Sequence, residues 1–139
     1  MIFTMSIILE RNKVGEKMLT RVESNNEKIS MGLLSLSNDL ETTADLLDEL
    51  KWFKAEDDRK LYLYKEDSSS DYIALIGIEI SGEVILIRRF NITPSFRNEG
   101  YGFKMLDELD ELYSDKKLTS TLENSQVLVE WQQRKDKEE

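Results

Sequence analysis

The chain has 139 residues, of which 40% are hydrophobic and 34% charged, and it carries 28 Asp and Glu against 19 Lys and Arg. That length suits a single domain with a real core, and a net charge of −9 argues against nucleic acid as a partner. Absence of cysteine excludes disulfides and thiolate chemistry and suits a reducing cytoplasm; absence of histidine removes the commonest general base and the commonest metal ligand, so no metal site is expected.

The apolar stretch Met1–Leu9 is too short and wrongly flanked for a signal peptide, and no run of about 18 apolar residues predicts a membrane span. Gly15-Glu16-Lys17-Met18 can be encoded by a purine-rich ribosome-binding sequence read in frame. Residues 1–17 are therefore expected to be a non-native leader, with an N-terminal arm as the alternative, and residues 18–139 a single domain. Leu19–Glu23 predicts a short strand. Asn25 or Asn26 then caps a helix running to Leu36, with Ile29, Leu33 and Leu36 on its apolar side. Asn38 followed by Glu41 reads as a capping box opening a second helix, with Leu40, Ala44, Leu47 and Leu50 as its stripe.

Lys60–Lys65 alternates leucine with tyrosine and predicts a strand. Asp67–Asp71 reads as a polar turn and Tyr72–Ile80 as a strand, followed by a two-residue turn at Ser81-Gly82 and a strand over Glu83–Ile92. Arg88 and Arg89 are adjacent on that strand, so they are expected on opposite faces and form no basic patch. Pro94 and a glycine-containing turn follow, then the helical pattern Phe103–Tyr113. Lys117–Leu122 predicts a last strand, followed by a helix from Asn124 and a charged tail, Arg134–Glu139.

Chemistry concentrates in Arg97-Asn98-Glu99-Gly100-Tyr101-Gly102. A strand, a glycine turn and a helix start in that order build an anion site, because helix-start N–H groups lack partners and the macrodipole adds positive charge there. The pattern is neither the nucleotide P-loop nor the dinucleotide fingerprint. It resembles R-x-x-G-x-G, the acetyl-CoA pyrophosphate loop of the GNAT N-acetyltransferases. Phe90–Arg97 fits the strand that precedes that loop, with Pro94 in frame. Asn124–Trp131 resembles the family's second motif, N-x-x-A-x-x-x-Y, with Val127 for Ala and Trp131 for Tyr. Glu27–Ser35 and Asp58–Glu66 extend the likeness to the RibT-like members found beside riboflavin-biosynthesis genes in Firmicutes, over about Met18 to Arg134.

The resemblance implies an α/β (α+β) GNAT fold in the order β-α-α-β-β-β-α-β-α, with a mixed central sheet and the usual C-terminal strands missing. That would leave the strand near Leu118 as an edge for a homodimer. It implies acetyl-CoA as cosubstrate and an amine as acceptor. Backbone groups of Phe90 and Ile92 would hold the pantetheine arm, and a backbone N–H near Ile92 would face the thioester oxygen. Backbone groups of Asn98, Glu99, Gly100, Tyr101 and Gly102 would cradle the pyrophosphate, with added charge from Arg97 and Lys104. Asn124 would meet the pantetheine, and Trp131 would sit beside the thioester or in the core. Glu79 and Glu83 are the candidate bases. Indole cannot replace the family's tyrosine acid, so a non-catalytic acyl-CoA-binding or interaction module is the alternative reading.

Overall fold

The computed structural model describes residues 18–66 and 71–138. The leader expected at 1–17 lies outside the described residues, as does the turn expected at 67–71 apart from Asp71. Nine elements follow in chain order: β1 (Leu19–Arg21), α1 (Glu27–Leu34), α2 (Thr43–Lys54), β2 (Arg59–Lys65), β3 (Tyr72–Ser81), β4 (Val84–Ile92), α3 (Tyr101–Leu112), β5 (Lys117–Ser120) and α4 (Ser125–Glu138). This is the predicted order. The residues expected as a charged tail extend α4 instead, as far as Glu138.

The sheet runs β1-β2-β3-β4-β5. Its first four strands are antiparallel, and β4 pairs β5 in parallel with α3 as the crossover. Both faces are buried. Leu61 and Leu63 of β2 join Leu33, Leu34, Leu50 and Phe53 under α1 and α2. Tyr62 and Tyr64 join Ile76, Ile85, Leu106 and Trp131 under α3 and α4. The leucine–tyrosine alternation of β2 thus serves two cores, because successive side chains point to opposite faces. At the edge, Glu108 Oε1 of α3 accepts the Met18 and Leu19 N–H groups at 2.8 and 3.1 Å, satisfying donors at the start of β1.

Local signals were displaced in four places. In α1 the buried residues are Ser30, Leu33 and Leu34, while Ile29 is 46% exposed. Ser30 fits this apolar side because its hydroxyl bonds the Asn26 carbonyl at 2.9 Å. Asn26 takes the N-cap position, but its side chain makes no capping bond to the helix; its Oδ1 accepts the Glu23 N–H at 2.7 Å. The second helix starts at Thr43, not after Asn38, because Thr42 and Asp45 form the reciprocal capping box: Asp45 N–H donates to Thr42 Oγ1, and Thr42 N–H to Asp45 Oδ2. Its buried stripe therefore includes Leu50 and Phe53, and Leu47 is exposed. The hairpin turn is Gly82-Glu83, one residue later than predicted, with Gly82 at φ +58°.

The fourth displacement matters most. β3 pairs Gly77 with Arg89 and Ile78 with Ile87, so Arg88 is an extra residue in β4. This bulge turns Arg88 and Arg89 toward the same side, contrary to the opposite-face expectation. Arg88 Nε donates to Glu79 at 2.7 Å, and Arg89 Nε to Glu49 of α2 at 2.7 Å.

Gly77 faces the α2 side, where an added Cβ would meet Phe53 Cζ at 2.7 Å and Leu61 Cδ2 at 3.0 Å. Both neighbours are buried, so Gly77→Ala is expected to lower stability by roughly 1–3 kcal/mol. Urea unfolding should show a lower midpoint at unchanged slope; an unchanged midpoint would mean that the Phe53 ring yields freely.

Candidate active site

The site begins where β5 leaves β4. Their pairing covers only Val84–Ile87 against Lys117–Ser120, and the Thr121 N–H adds a contact to the Ile87 carbonyl at 3.0 Å. Beyond Ile87, no strand among the described residues pairs with β4 on that side. Thr93 N–H bonds Ile73 O at 2.8 Å, so odd-numbered residues of this stretch exchange hydrogen bonds with β3. Phe90 and Ile92 therefore direct main-chain N–H and C=O groups into the gap. Side chains reach the flanking carbonyls: Asn124 Nδ2 donates to Arg88 O at 3.1 Å, and Arg97 Nε to Ile92 O at 2.9 Å. An open strand edge of this kind accepts an extended, amide-bearing arm as an added strand.

At the end of β4, Pro94–Phe96 form a 3₁₀ turn and the chain twists through two left-handed residues, Asn98 at φ +65° and Gly100 at φ +86°. Gly100 is the residue before α3, and the first helical bond is Lys104 N–H to Gly100 O. The N–H groups of Tyr101, Gly102 and Phe103 thus precede the helical ladder, and the helix dipole favours an anion beside them. An added Cβ on Gly102 would lie 3.5 Å from the Phe90 ring and 3.6 Å from Val127 Cγ2, so the helix start adjoins the gap. Lys104 Nζ stands 5.2 Å over the Tyr101 ring, and Glu99 is exposed.

Trp131 is 3% exposed, and its Nε1 donates to Asp107 Oδ1 at 2.8 Å, so its one proton is committed within the core. Glu79 pairs with Arg88. Glu83 sits in the hairpin turn, seven residues from Phe90 and about 20 Å along the strand, so it is not brought to the gap. Among the phenols, Tyr62 shares a 2.6 Å hydrogen bond with Tyr113, whose hydroxyl burial and Tyr62 push well above the ordinary range.

A groove of about 660 Å³, lined by Asp39, Asp48, Glu49, Trp52, Arg88 and Glu123 among others, opens on the α2 side. A neighbouring cavity of about 400 Å³ shares Asp39, Arg88, Arg89 and Glu123 and reaches Phe90, Asn91 and Asn124. Together they lead to the open edge from the side opposite the two-helix layer of α3 and α4. Arg89 holds two carboxylates here: Asp39 with both terminal nitrogens at 2.7 and 2.9 Å, and Glu49 through Nε. The Arg89 guanidinium holds the Asp39 carboxyl below its ordinary value. Among the described residues no group of three or more His, Cys, Asp or Glu is arranged to hold a metal ion. None of this groove was singled out from sequence, because it needs the bulge at Arg88 and three distant segments.

No family model matches the chain. It is 36% identical over 114 residues to an uncharacterized N-acetyltransferase in the lysA 3′ region of Bacillus methanolicus, covering 81% of this chain and 92% of that protein. The chain belongs to the GNAT family of N-acetyltransferases. It is an acetyltransferase enzyme. Solved structures share the fold. A GNAT family acetyltransferase from Staphylococcus aureus matches at TM-score 0.58 and 24% identity, over 74% of this chain and 84% of that one. The aminoglycoside acetyltransferase AAC(6′)-Iy, in complex with a CoA-linked bisubstrate analogue, matches at TM-score 0.61 and 16% identity, over 76% and 80%. The same enzyme has been crystallised with CoA. No helix among the described residues is long and apolar enough to cross a membrane.

Asp39 gives a pH signature. Its carboxyl is depressed in the folded state, so the stability it contributes is present at neutral pH and is lost as pH falls below its ordinary value of 3.8 and through its folded value. Asp39→Asn should melt slightly below wild type at pH 7, and the gap should narrow as pH falls below 3.8. A gap that does not narrow on acidification would mean that the Arg89 pairing is not its source.

Proposed function

We propose that the protein is an acetyl-CoA-dependent N-acetyltransferase. In this reading the donor's pantetheine arm runs along the open edge of β4 and its pyrophosphate lies on the start of α3. The observation that carries it is the parting of β4 and β5 beside Phe90, with the Gly100–Phe103 turn at the mouth of the same gap. Phe90 and Ile92 supply main-chain groups to the arm. Backbone from Asn98 to Gly102 meets the phosphates, with Arg97 and Lys104 adding charge and Asn124 releasing Arg88 O to meet the arm. The acceptor amine enters through the acidic groove on the α2 side and attacks the thioester carbon. Of the two carboxylates nominated as base, Glu79 adjoins this groove through Arg88, and Glu83 is remote.

The RibT-like resemblance supports a role beside riboflavin metabolism, and the acidic groove suits an amine-bearing acceptor, as aminoglycosides are for several enzymes of the same fold. The cysteine-free composition supports a cytoplasmic setting. The outer edge of β5 supports pairing with a second copy, and residues 18–139 are read as one catalytic domain.

Calorimetric titration with acetyl-CoA and with CoA tests the donor site. Wild type is expected to bind in the micromolar range. Gly100→Glu places a side chain at φ +86° and a carboxylate beside the phosphates, and should weaken binding by more than about tenfold; Arg97→Ala should weaken it about threefold. Circular dichroism would confirm that both variants fold. Absence of binding at millimolar donor, or equal binding by Gly100→Glu, overturns the reading.

A further inference from the structure

We infer that Arg89 is a positioning residue for the acceptor: it pins the segment between α1 and α2 to β4 and so fixes one wall of the path to the open edge. The inference rests on the proposed reading that transfer occurs beside Phe90. Three observations support it. First, the segment 35–42 forms part of both cavities, through Asp39 and Leu40 in one and Leu36, Ser37, Asn38 and Asp39 in the other. Second, two neighbouring β4 residues fasten it. Asn91 Nδ2 donates to Leu33 O and to Ser37 Oγ, both at 2.9 Å, and holds the end of α1. Arg89 grips Asp39 with a two-pronged pair and anchors its own Nε on Glu49, so all three guanidinium nitrogens are used.

Third, the grip is directional. The Arg89 and Glu49 side chains are only 14% and 19% exposed, whereas Asp39 is 65% exposed. Arg89 is therefore fixed from below by α2, and it presents a rigid fork upward to the exposed part of a segment that Asn91 ties at Ser37. Arg89 does not touch the reacting atoms in this arrangement. It sets the distance between the segment carrying Asp39 and the opposite wall at Glu123 and Asn124, and hence the space in which an amine can approach Phe90. A lysine keeps the charge and loses the fork. An asparagine at Asp39 removes the grip from an exposed position with only a small loss of stability.

The test uses released CoA thiol, which the cysteine-free chain reports without background. Acetyl-CoA turnover is measured with water alone and with spermidine, tyramine or a lysine-containing peptide as probe amines. Arg89→Lys and Asp39→Asn are each expected to raise the KM of the accepted amine about fivefold, the size of one exposed ion pair, and the double variant no further than the stronger single one. Calorimetric CoA affinity and hydrolysis without amine should stay within about twofold of wild type, a separation that general loosening of the fold would not produce. Unchanged amine KM in Asp39→Asn, or loss of CoA affinity in the same proportion, overturns the positioning role. Wild type that binds CoA but shows no amine-dependent thiol release overturns instead the transfer reading beneath it.

Discussion

The constraint on which the rest depends is that β4 has a partner on both sides for only half its length. β5 is four residues long, and the last contact it offers is the Thr121 N–H on Ile87 O. From Arg88 onward β3 is the one strand among the described residues that pairs with β4. The bulge falls at that boundary: one extra residue bends the strand and increases its twist where the parallel neighbour leaves. The open main chain at Phe90, the seating of Asn124 on Arg88 O and the same-sided arginines all follow from this one irregularity.

The arginines show what that costs and what it achieves. Bringing two guanidinium groups to one face of a strand would be repulsive without counter-charges. Glu79 meets the first, and Asp39 with Glu49 the second, while Trp52 lies beneath Arg88 at 4.9 Å. A half-buried network of this kind adds little net stability, because desolvation offsets much of the attraction. Its effect is on geometry: it ties helix α2, the segment before it and β4 together, with both arginines met by carboxylates. In a chain with a net charge of −9, the local surplus of carboxylates at Asp48 and Glu123 leaves the groove attractive to cations even after both arginines are neutralised.

Legibility in the sequence divides along the same line. The strands, their order and the glycine turn before α3 were readable because each is written in consecutive residues: the alternation of β2, the β-branched run of β4, Pro94 and the two glycines. Helix boundaries were less readable where two capping patterns compete. Asn38/Glu41 and Thr42/Asp45 both satisfy the rule, and only the second puts Leu50 and Phe53 on the sheet. Ile29 is exposed because a small polar residue, Ser30, can occupy a core position once its hydroxyl has a backbone partner, and Leu47 because the helix from Thr43 turns Leu50 and Phe53 to the sheet. The groove was not readable at all. A period-two reading assigns Arg88 and Arg89 to opposite faces, and nothing in ten consecutive residues announces a bulge. Its other walls come from residues 36–52 and 121–124, which only the fold brings together.

By resemblance to the family's second motif, Trp131 stands where a tyrosine is expected, and on the proposed reading that bears on how transfer runs. Trp131 is buried, and its N–H is spent on Asp107, so the indole supports α4 against α3 and has no proton to give. General acids typically contribute about 10²–10⁴-fold, so their loss slows a reaction without forbidding it. Aminolysis also carries its own proton. The attacking amine becomes a cationic nitrogen in the tetrahedral intermediate, and that proton must leave as the carbon–sulfur bond breaks and the thiolate departs. In a groove open to solvent, water can carry it from nitrogen to sulfur. On the proposed reading, what the protein then has to supply is placement: a donor held straight along Phe90 and Ile92, and an amine held at the right distance by the opposite wall. On the proposed reading, the substitution moves the burden of catalysis from proton transfer to geometry, and the interactions that set geometry here are the main chain of β4 and the Arg89 fork.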